Sequence, residues 1–136
     1  MRNLTKENPK KRILDLLNSK VEPPIISIYI PTSPNWHENE KSQIKLKNSL
    51  DKVEQYLNKA DLNALEIKEL LSPLRKLQDN TAFWKNQKQG LAIFRSKRIK
   101  EYFKLPVNFK SQFYVSDTPN IKPLTKYLFE STRYYI

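Results

Sequence analysis

The one place in this sequence where acyl-transfer chemistry could be assembled is a short loop around its only imidazole. Thr32 and Ser33 follow an apolar run, and His37 comes four residues later beside Trp36, Glu38 and Glu40. A serine nucleophile needs a base within hydrogen-bonding reach, and His37 is the single candidate. Hydroxyls in a Pro-Thr-Ser-Pro segment more commonly bond local backbone. These residues are therefore expected to shape a loop, with His37 exposed. The chain has no cysteine, so thiolate metal sites and disulfides are excluded, and one histidine cannot build a His-based metal site. Carboxylates lie three apart at Asp51/Glu54 and at Glu66/Glu69. Glycosidase-type chemistry requires carboxyls that flank a cleft, one of them with a raised pKa. Neighbours such as Lys52 and Lys68 favour the ionised forms, so both pairs are expected to be surface ion pairs. A single glycine, Gly90, rules out phosphate-cradling glycine loops. The expectation is a chain with no catalytic residue, cofactor or metal.

Charge is more informative. The 136 residues carry 25 Lys and Arg against 14 Asp and Glu, a net +11, which favours a polyanionic partner such as RNA, DNA or anionic lipid. Two basic clusters stand out. Lys41, Lys45, Lys52 and Lys59, with Asn48 and Gln55 between them, recur at helical spacing. Leu46, Leu50, Val53 and Leu57 recur at the same spacing about half a turn away, so one helix is apolar inward and cationic outward. Burying those four apolar residues contributes about 6–12 kcal/mol before the entropy of ordering is subtracted. The second cluster is Arg95, Lys97, Arg98, Lys100 and Lys104, opposed by Glu101 alone. Aromatic residues interleave with it, and single-strand binders combine aromatics with basic grooves. Phe83, Trp84 and Phe103 are nonetheless expected in a sheet core, while Tyr102, Phe113 and Tyr114 share the neighbourhood.

The elements that must position these groups follow from periodicity. Ile13, Leu14, Leu16 and Leu17 predict a short amphipathic helix that ends near Ser19 and is stopped by Pro23-Pro24. Ile25 to Ile30, four of them isoleucine, predicts a buried strand, and 31–39 has loop composition. A helix is predicted over 41–59 and another after an N-cap at Asp61. Ser72-Pro73 either kinks that second helix or opens a new turn. Leu91 to Phe94 and Ile99 to Leu105 predict a hairpin, Phe109 to Val115 a half-exposed strand, and Ile121 to Phe129 a helix. Arg133-Tyr134-Tyr135-Ile136 reads as a strand that stops as it begins. The order α-β-α-α-β-β-β-α-(β) predicts an α/β (α+β) domain, a small mixed or antiparallel sheet with helices packed on it. The boundaries expected are one domain over 1–132, with 133–136 as the start of a second.

Four segments in order resemble the bacterial release-factor-like family, relatives of the archaeal and eukaryotic class-one peptide-chain release factors. They are Pro24-Ile25-Ile26-Ser27-Ile28-Tyr29-Ile30-Pro31-Thr32; Ile44-Lys45-Leu46-Lys47-Asn48-Ser49-Leu50; Phe83-Trp84-Lys85-Asn86-Gln87 leading to Gly90-Leu91-Ala92-Ile93-Phe94; and Asn120-Ile121-Lys122-Pro123-Leu124. The resemblance covers about residues 10 to 130. It implies the N-terminal domain of a three-domain protein, which in the release factors reads the stop codon through an Asn-Ile-Lys-Ser loop. Gln43-Ile44-Lys45-Leu46 falls at that place, with Ile44 and Lys45 matching and Gln43 and Leu46 departing. The family's Tyr-x-Cys-x-x-x-Phe element is absent, and its Gly-Gly-Gln loop, which promotes peptidyl-tRNA hydrolysis, cannot be built with one glycine. What the resemblance implies here is a generic RNA or ribosome contact rather than peptide release.

The leading expectation is thus a non-catalytic RNA- or ribosome-associated domain linked to translation termination, ribosome rescue or translational conflict. Its expected contacts are Lys41, Lys45, Lys52, Lys59, Arg95, Lys97, Arg98 and Lys100. The alternative is a protein-interaction or scaffold module that docks through the terminal strand edge. No apolar run approaches the roughly 20 residues of a membrane span, and the basic N-terminus lacks a signal-peptide core, so cytoplasmic residence and no membrane partner are expected.

Overall fold

Isoleucine at four of six positions makes β1 (Ile25–Pro31) a strand that can be covered on both faces, and every residue from Ile25 to Ile30 is buried. In the computed structural model, which describes residues 8–133 (side chains of 130–133 excepted), β1 lies between two partners. It pairs antiparallel with β2 (Gly90–Arg95) on one side and β4 (Gln112–Ser116) on the other. β3 (Lys100–Leu105) pairs antiparallel with β2, giving the order β3-β2-β1-β4. The two faces bury different helices. Ile26, Ile28, Ile30, Leu91 and Ile93 pack under α2 (Asn39–Lys59), α3 (Ala64–Gln78) and α4 (Thr81–Lys85). Tyr29, Ala92, Phe94 and Phe103 pack under α1 (Pro9–Asn18) and α5 (Thr125–Arg133). The chain is therefore a three-layer mixed α/β fold on an antiparallel sheet, as the element order predicts.

Local chemistry moves several boundaries. The second helical hairpin partner is not capped by Asp61. Asp61 sits at φ 65° and ends α2, where the Leu62 N–H reaches back to the Leu57 carbonyl at 3.4 Å, a Schellman closure. The N-cap of α3 is Asn63, whose side chain accepts from the Glu66 N–H while Glu66 returns to the Asn63 N–H, a reciprocal capping box. Pro73 lies inside a continuous α3. The helix expected from Lys41 begins at Asn39, preceded by a 3₁₀ turn at Trp36–Glu38. The short helix α4, capped by Asn80, has too little periodicity to be visible in the sequence. β4 starts at Gln112 rather than Phe109, because Phe109 is buried against the Tyr29 ring at a centroid distance of 4.9 Å. Arg133 closes α5 instead of opening a strand, and 134–136 lie outside the described residues. Among the described residues, no helix is long and apolar enough to cross a membrane.

The motif segments knit the fold together. The Tyr29 hydroxyl donates to the Asn120 carbonyl at 2.5 Å, and the Asn120 N–H donates to Ser27 Oγ at 3.0 Å. Buried Asn39 donates to the carbonyls of Ser33 and Trp84 at 2.8 and 2.9 Å, and Ser42 Oγ donates to the Pro31 carbonyl at 2.6 Å. These bonds fix the start of α2 at the carboxyl end of β1.

Candidate nucleic-acid interface

Helix α2 is amphipathic in the sense the sequence requires. Leu46, Leu50, Val53 and Leu57 are fully buried, whereas Lys41, Lys45, Lys52 and Lys59 are all exposed. From Lys41 to Lys59 the row rises 18 residue steps, about 27 Å at the helical rise of ~1.5 Å per residue. None of the four makes an ion pair or hydrogen bond through its ammonium among the described residues. Two of the helix's three acids are turned aside, Glu40 of the first turn staying exposed. Arg75 of α3 holds Asp51 at 2.9 Å and Glu54 at 3.0 Å, and Lys47 holds Asp51 at 3.1 Å. The Lys47 and Arg75 hydrogen bonds keep the Asp51 carboxyl below its ordinary pKa. Beyond its first turn α2 thus separates its charges, with Asp51 and Glu54 neutralised along the α3 seam and ammonium groups left on the outer face. The carboxylate pair Asp51/Glu54 is a surface ion-pair cluster, as expected, although its partner is the distant Arg75 rather than Lys52.

The segment likened to a decoding loop is not a loop. Gln43 to Leu46 form the early turns of α2, because Asn39 and Ser42 anchor the helix upstream of them. Leu46 is fully buried, and Gln43 Nε2 donates to the Gln78 carbonyl at 2.7 Å, tying α2 to the end of α3. Only Ile44, 53% exposed, and Lys45 face outward.

The hairpin cluster divides. Arg95 belongs to the fold: its guanidinium donates to the carbonyls of Glu69 and Leu70, both at 2.9 Å, and burial lowers its pKa. Lys97 stands 3.5 Å from Glu66. Arg98 and Lys100 are exposed and unpaired among the described residues, so two of the four expected hairpin contacts are available. No protein-family model matches this chain, and no curated protein is significantly similar to it.

Phe83, Trp84 and Phe103 are buried, as their core assignment requires. Tyr102 is 45% exposed on β3, its ring 5.0 Å from Phe83. Phe113 and Tyr114 are half-buried on β4. In the loop after β1, Thr32 Oγ1 donates to the Lys88 carbonyl at 2.7 Å, and Ser33 Oγ accepts from the Asn35 N–H at 3.0 Å. His37 is exposed and stacks on Trp36 at 3.7 Å between centroids. Both hydroxyls are thereby engaged with backbone, Ser33 within the turn as expected and Thr32 across to the segment before β2 rather than locally. The residue that sequence reasoning passed over is Arg75. Its role depends on a contact between helices 21 and 24 residues apart in the chain, which no local spacing reports.

Proposed function

We propose that this chain is a non-catalytic RNA-binding domain that lays the outer face of α2 along a phosphate backbone. In this reading it is the N-terminal part of a release-factor-like protein acting on the ribosome in the cytoplasm, in termination, rescue or translational conflict. The observation that carries the proposal is the charge separation on α2: Arg75 draws Asp51 and Glu54 to the helix seam, and Lys41, Lys45, Lys52 and Lys59 keep unpaired ammonium groups. Such a row can neutralise phosphates and release the cations condensed on the polyanion, at no cost in broken ion pairs. Arg95, being committed to α3 carbonyls, is not among the contacts, and Lys97 would first have to leave Glu66. The family likeness supports the ribosomal assignment through the motif residues that build the β1–α2 junction.

The test is binding of a single-stranded RNA oligonucleotide, followed by fluorescence anisotropy across a salt series. Four phosphate contacts give a slope of about −3 in log K against log salt. Lys45→Glu together with Lys52→Glu flattens that slope. Binding that ignores both salt and these substitutions overturns the proposal.

A further inference from the structure

The strand β3 lies at the end of the sheet, and among the described residues its outer edge pairs with no other strand. Its register against β2 places Lys100, Tyr102 and Lys104 opposite Arg95, Ile93 and Leu91, hence all three on the α3/α4 side. A groove of about 690 Å³ runs along this edge, lined by Arg12, Lys88, Lys100, Glu101, Tyr102 and Lys104. Its one carboxylate, Glu101, is taken by the Arg12 guanidinium, which also lies 4.9 Å over the Phe103 ring. Lys88, Lys100 and Lys104 have no carboxylate partner among the described residues. Lys104 is the most constrained, half-buried with its ammonium 4.9 Å above the Phe83 ring, and burial lowers its pKa.

We infer that the free edge of β3 is a docking site for an extended acidic peptide, which adds to the sheet as a fifth strand with carboxylates facing Lys100 and Lys104. An added strand satisfies the outward backbone N–H and C=O groups, and its side chains alternate at a period of two. Lys100 and Lys104 are four residues apart, about 13 Å at ~3.3 Å per residue, with the exposed Tyr102 ring midway. The recognised pattern is therefore acidic-x-apolar-x-acidic.

The geometry selects this occupant over two others. A second copy paired edge to edge, antiparallel about Tyr102, would set Lys100 against Lys104 twice, and like charges directly opposite are destabilising. Lysines on an edge strand are a common guard against self-pairing. A nucleic acid could use the ammonium groups but would leave the strand's polar backbone edge unmatched. An acidic strand uses both. This inference is independent of the RNA reading of α2, because β3 lies at the opposite end of the sheet from β4, where α2 packs on β1 and β4.

The experiment uses the intact chain and a fluorescein-labelled peptide, Thr-Glu-Thr-Phe-Thr-Glu-Thr, read by anisotropy, with circular dichroism melts to verify that each variant is folded. The peptide binds saturably. The double variant Lys100→Glu, Lys104→Glu weakens it about tenfold or more, as two cross-strand pairs turn from attraction to repulsion, and gains affinity for the analogue with lysine in place of glutamate. Of two peptides N-methylated on odd or on even residues, the one that blocks the ladder loses binding and the other keeps it. Lack of saturable binding, indifference to the charge swap, or equal binding by both methylated peptides each overturns the inference. Displacement by a short RNA with the same dependence on Lys100 and Lys104 overturns it in favour of nucleic acid.

Discussion

The guanidinium of Arg95 satisfies a carbonyl that Pro73 leaves without a donor. Proline has no N–H, so the Glu69 carbonyl one turn earlier in α3 lacks its helical partner, and Arg95 Nη2 donates to it at 2.9 Å while Nε serves Leu70. The strand and helix are thereby locked at the point where a prolyl helix is weakest. Arg95→Ala removes hydrogen bonds to one exposed and one part-buried carbonyl and should cost about 1–2 kcal/mol in urea unfolding. In a Pro73→Ala background the helix supplies the missing hydrogen bond itself, so the same substitution should cost about 1 kcal/mol less. Additive costs in this double-mutant cycle would show that Arg95 acts through packing alone.

Gly90 is the only glycine, and its role is space. A Cβ built there would fall onto the Val107 carbonyl oxygen and within 2.5 and 2.7 Å of the Phe109 ring. Phe109 is packed on the Tyr29 ring, and the Val107 oxygen is backbone, which cannot swing aside as a flexible side chain can. Gly90→Ala should therefore lower stability by about 1–3 kcal/mol or more, as overpacking does, with no change in exposed charge. A thermal melt within 1–2 °C of the parent, roughly the noise of a surface substitution, would show that the β3–β4 connection yields.

The Tyr29–Asn120–Ser27 clamp joins β1 to the segment that leads into α5. Burial raises the pKa of the Tyr29 phenol, so its hydroxyl remains a donor to the Asn120 carbonyl at every pH at which the protein is ordinarily handled. Tyr29→Phe keeps the ring packing against Phe94 and Phe109 but strands that carbonyl, at a cost of about 1–3 kcal/mol. Ser27→Ala removes the acceptor of the Asn120 N–H and should cost about as much. Hydrogen exchange supplies the discriminating measurement, with amides of 120–128 expected to lose protection in both variants. Loss confined to β1 would mean that the clamp does not hold α5.

What the sequence disclosed follows from how local each signal is. The run of isoleucines in β1, the two-faced period of α2 and the hairpin from Leu91 to Leu105 are written in neighbours two to four apart, and each is found where the pattern puts it. The outer lysines of α2 were legible for the same reason. The limits of α2 and α3 were harder, because Asn39, Asp61 and Asn63 are alike in composition and differ only in what they cap. The fate of the charges was not legible at all. Arg95 and Lys97 look as basic as Arg98 and Lys100 in sequence, yet α3 claims the first two through Glu69, Leu70 and Glu66. Likewise the free edge of β3 is a consequence of strand order, which periodicity does not encode.

Asp51 should set part of the acid limb of stability. Its carboxyl pKa is held down by the Lys47 hydrogen bond first and the Arg75 hydrogen bond second. A group whose pKa is lower in the folded chain contributes stability that is fully present above the unfolded value, about 4, and lost as pH falls through the folded value. Asp51 is well exposed, so solvent screening keeps the contribution below about 1 kcal/mol. Asp51→Asn should therefore be slightly less stable than the parent at pH 7 and should converge with it as acid titrates the folded carboxyl. Urea midpoints measured across that titration test this, and a gap that stays constant with pH would assign the loss to hydrogen-bond geometry instead of charge. The same variant separates stability from recognition: with Asp51 neutral, Arg75 retains Glu54 at 3.0 Å, so the lysine row should stay as available to a polyanion as before. RNA affinity that held or rose slightly while stability fell would match a helix whose Asp51 and Glu54 serve the seam and whose lysines serve the partner.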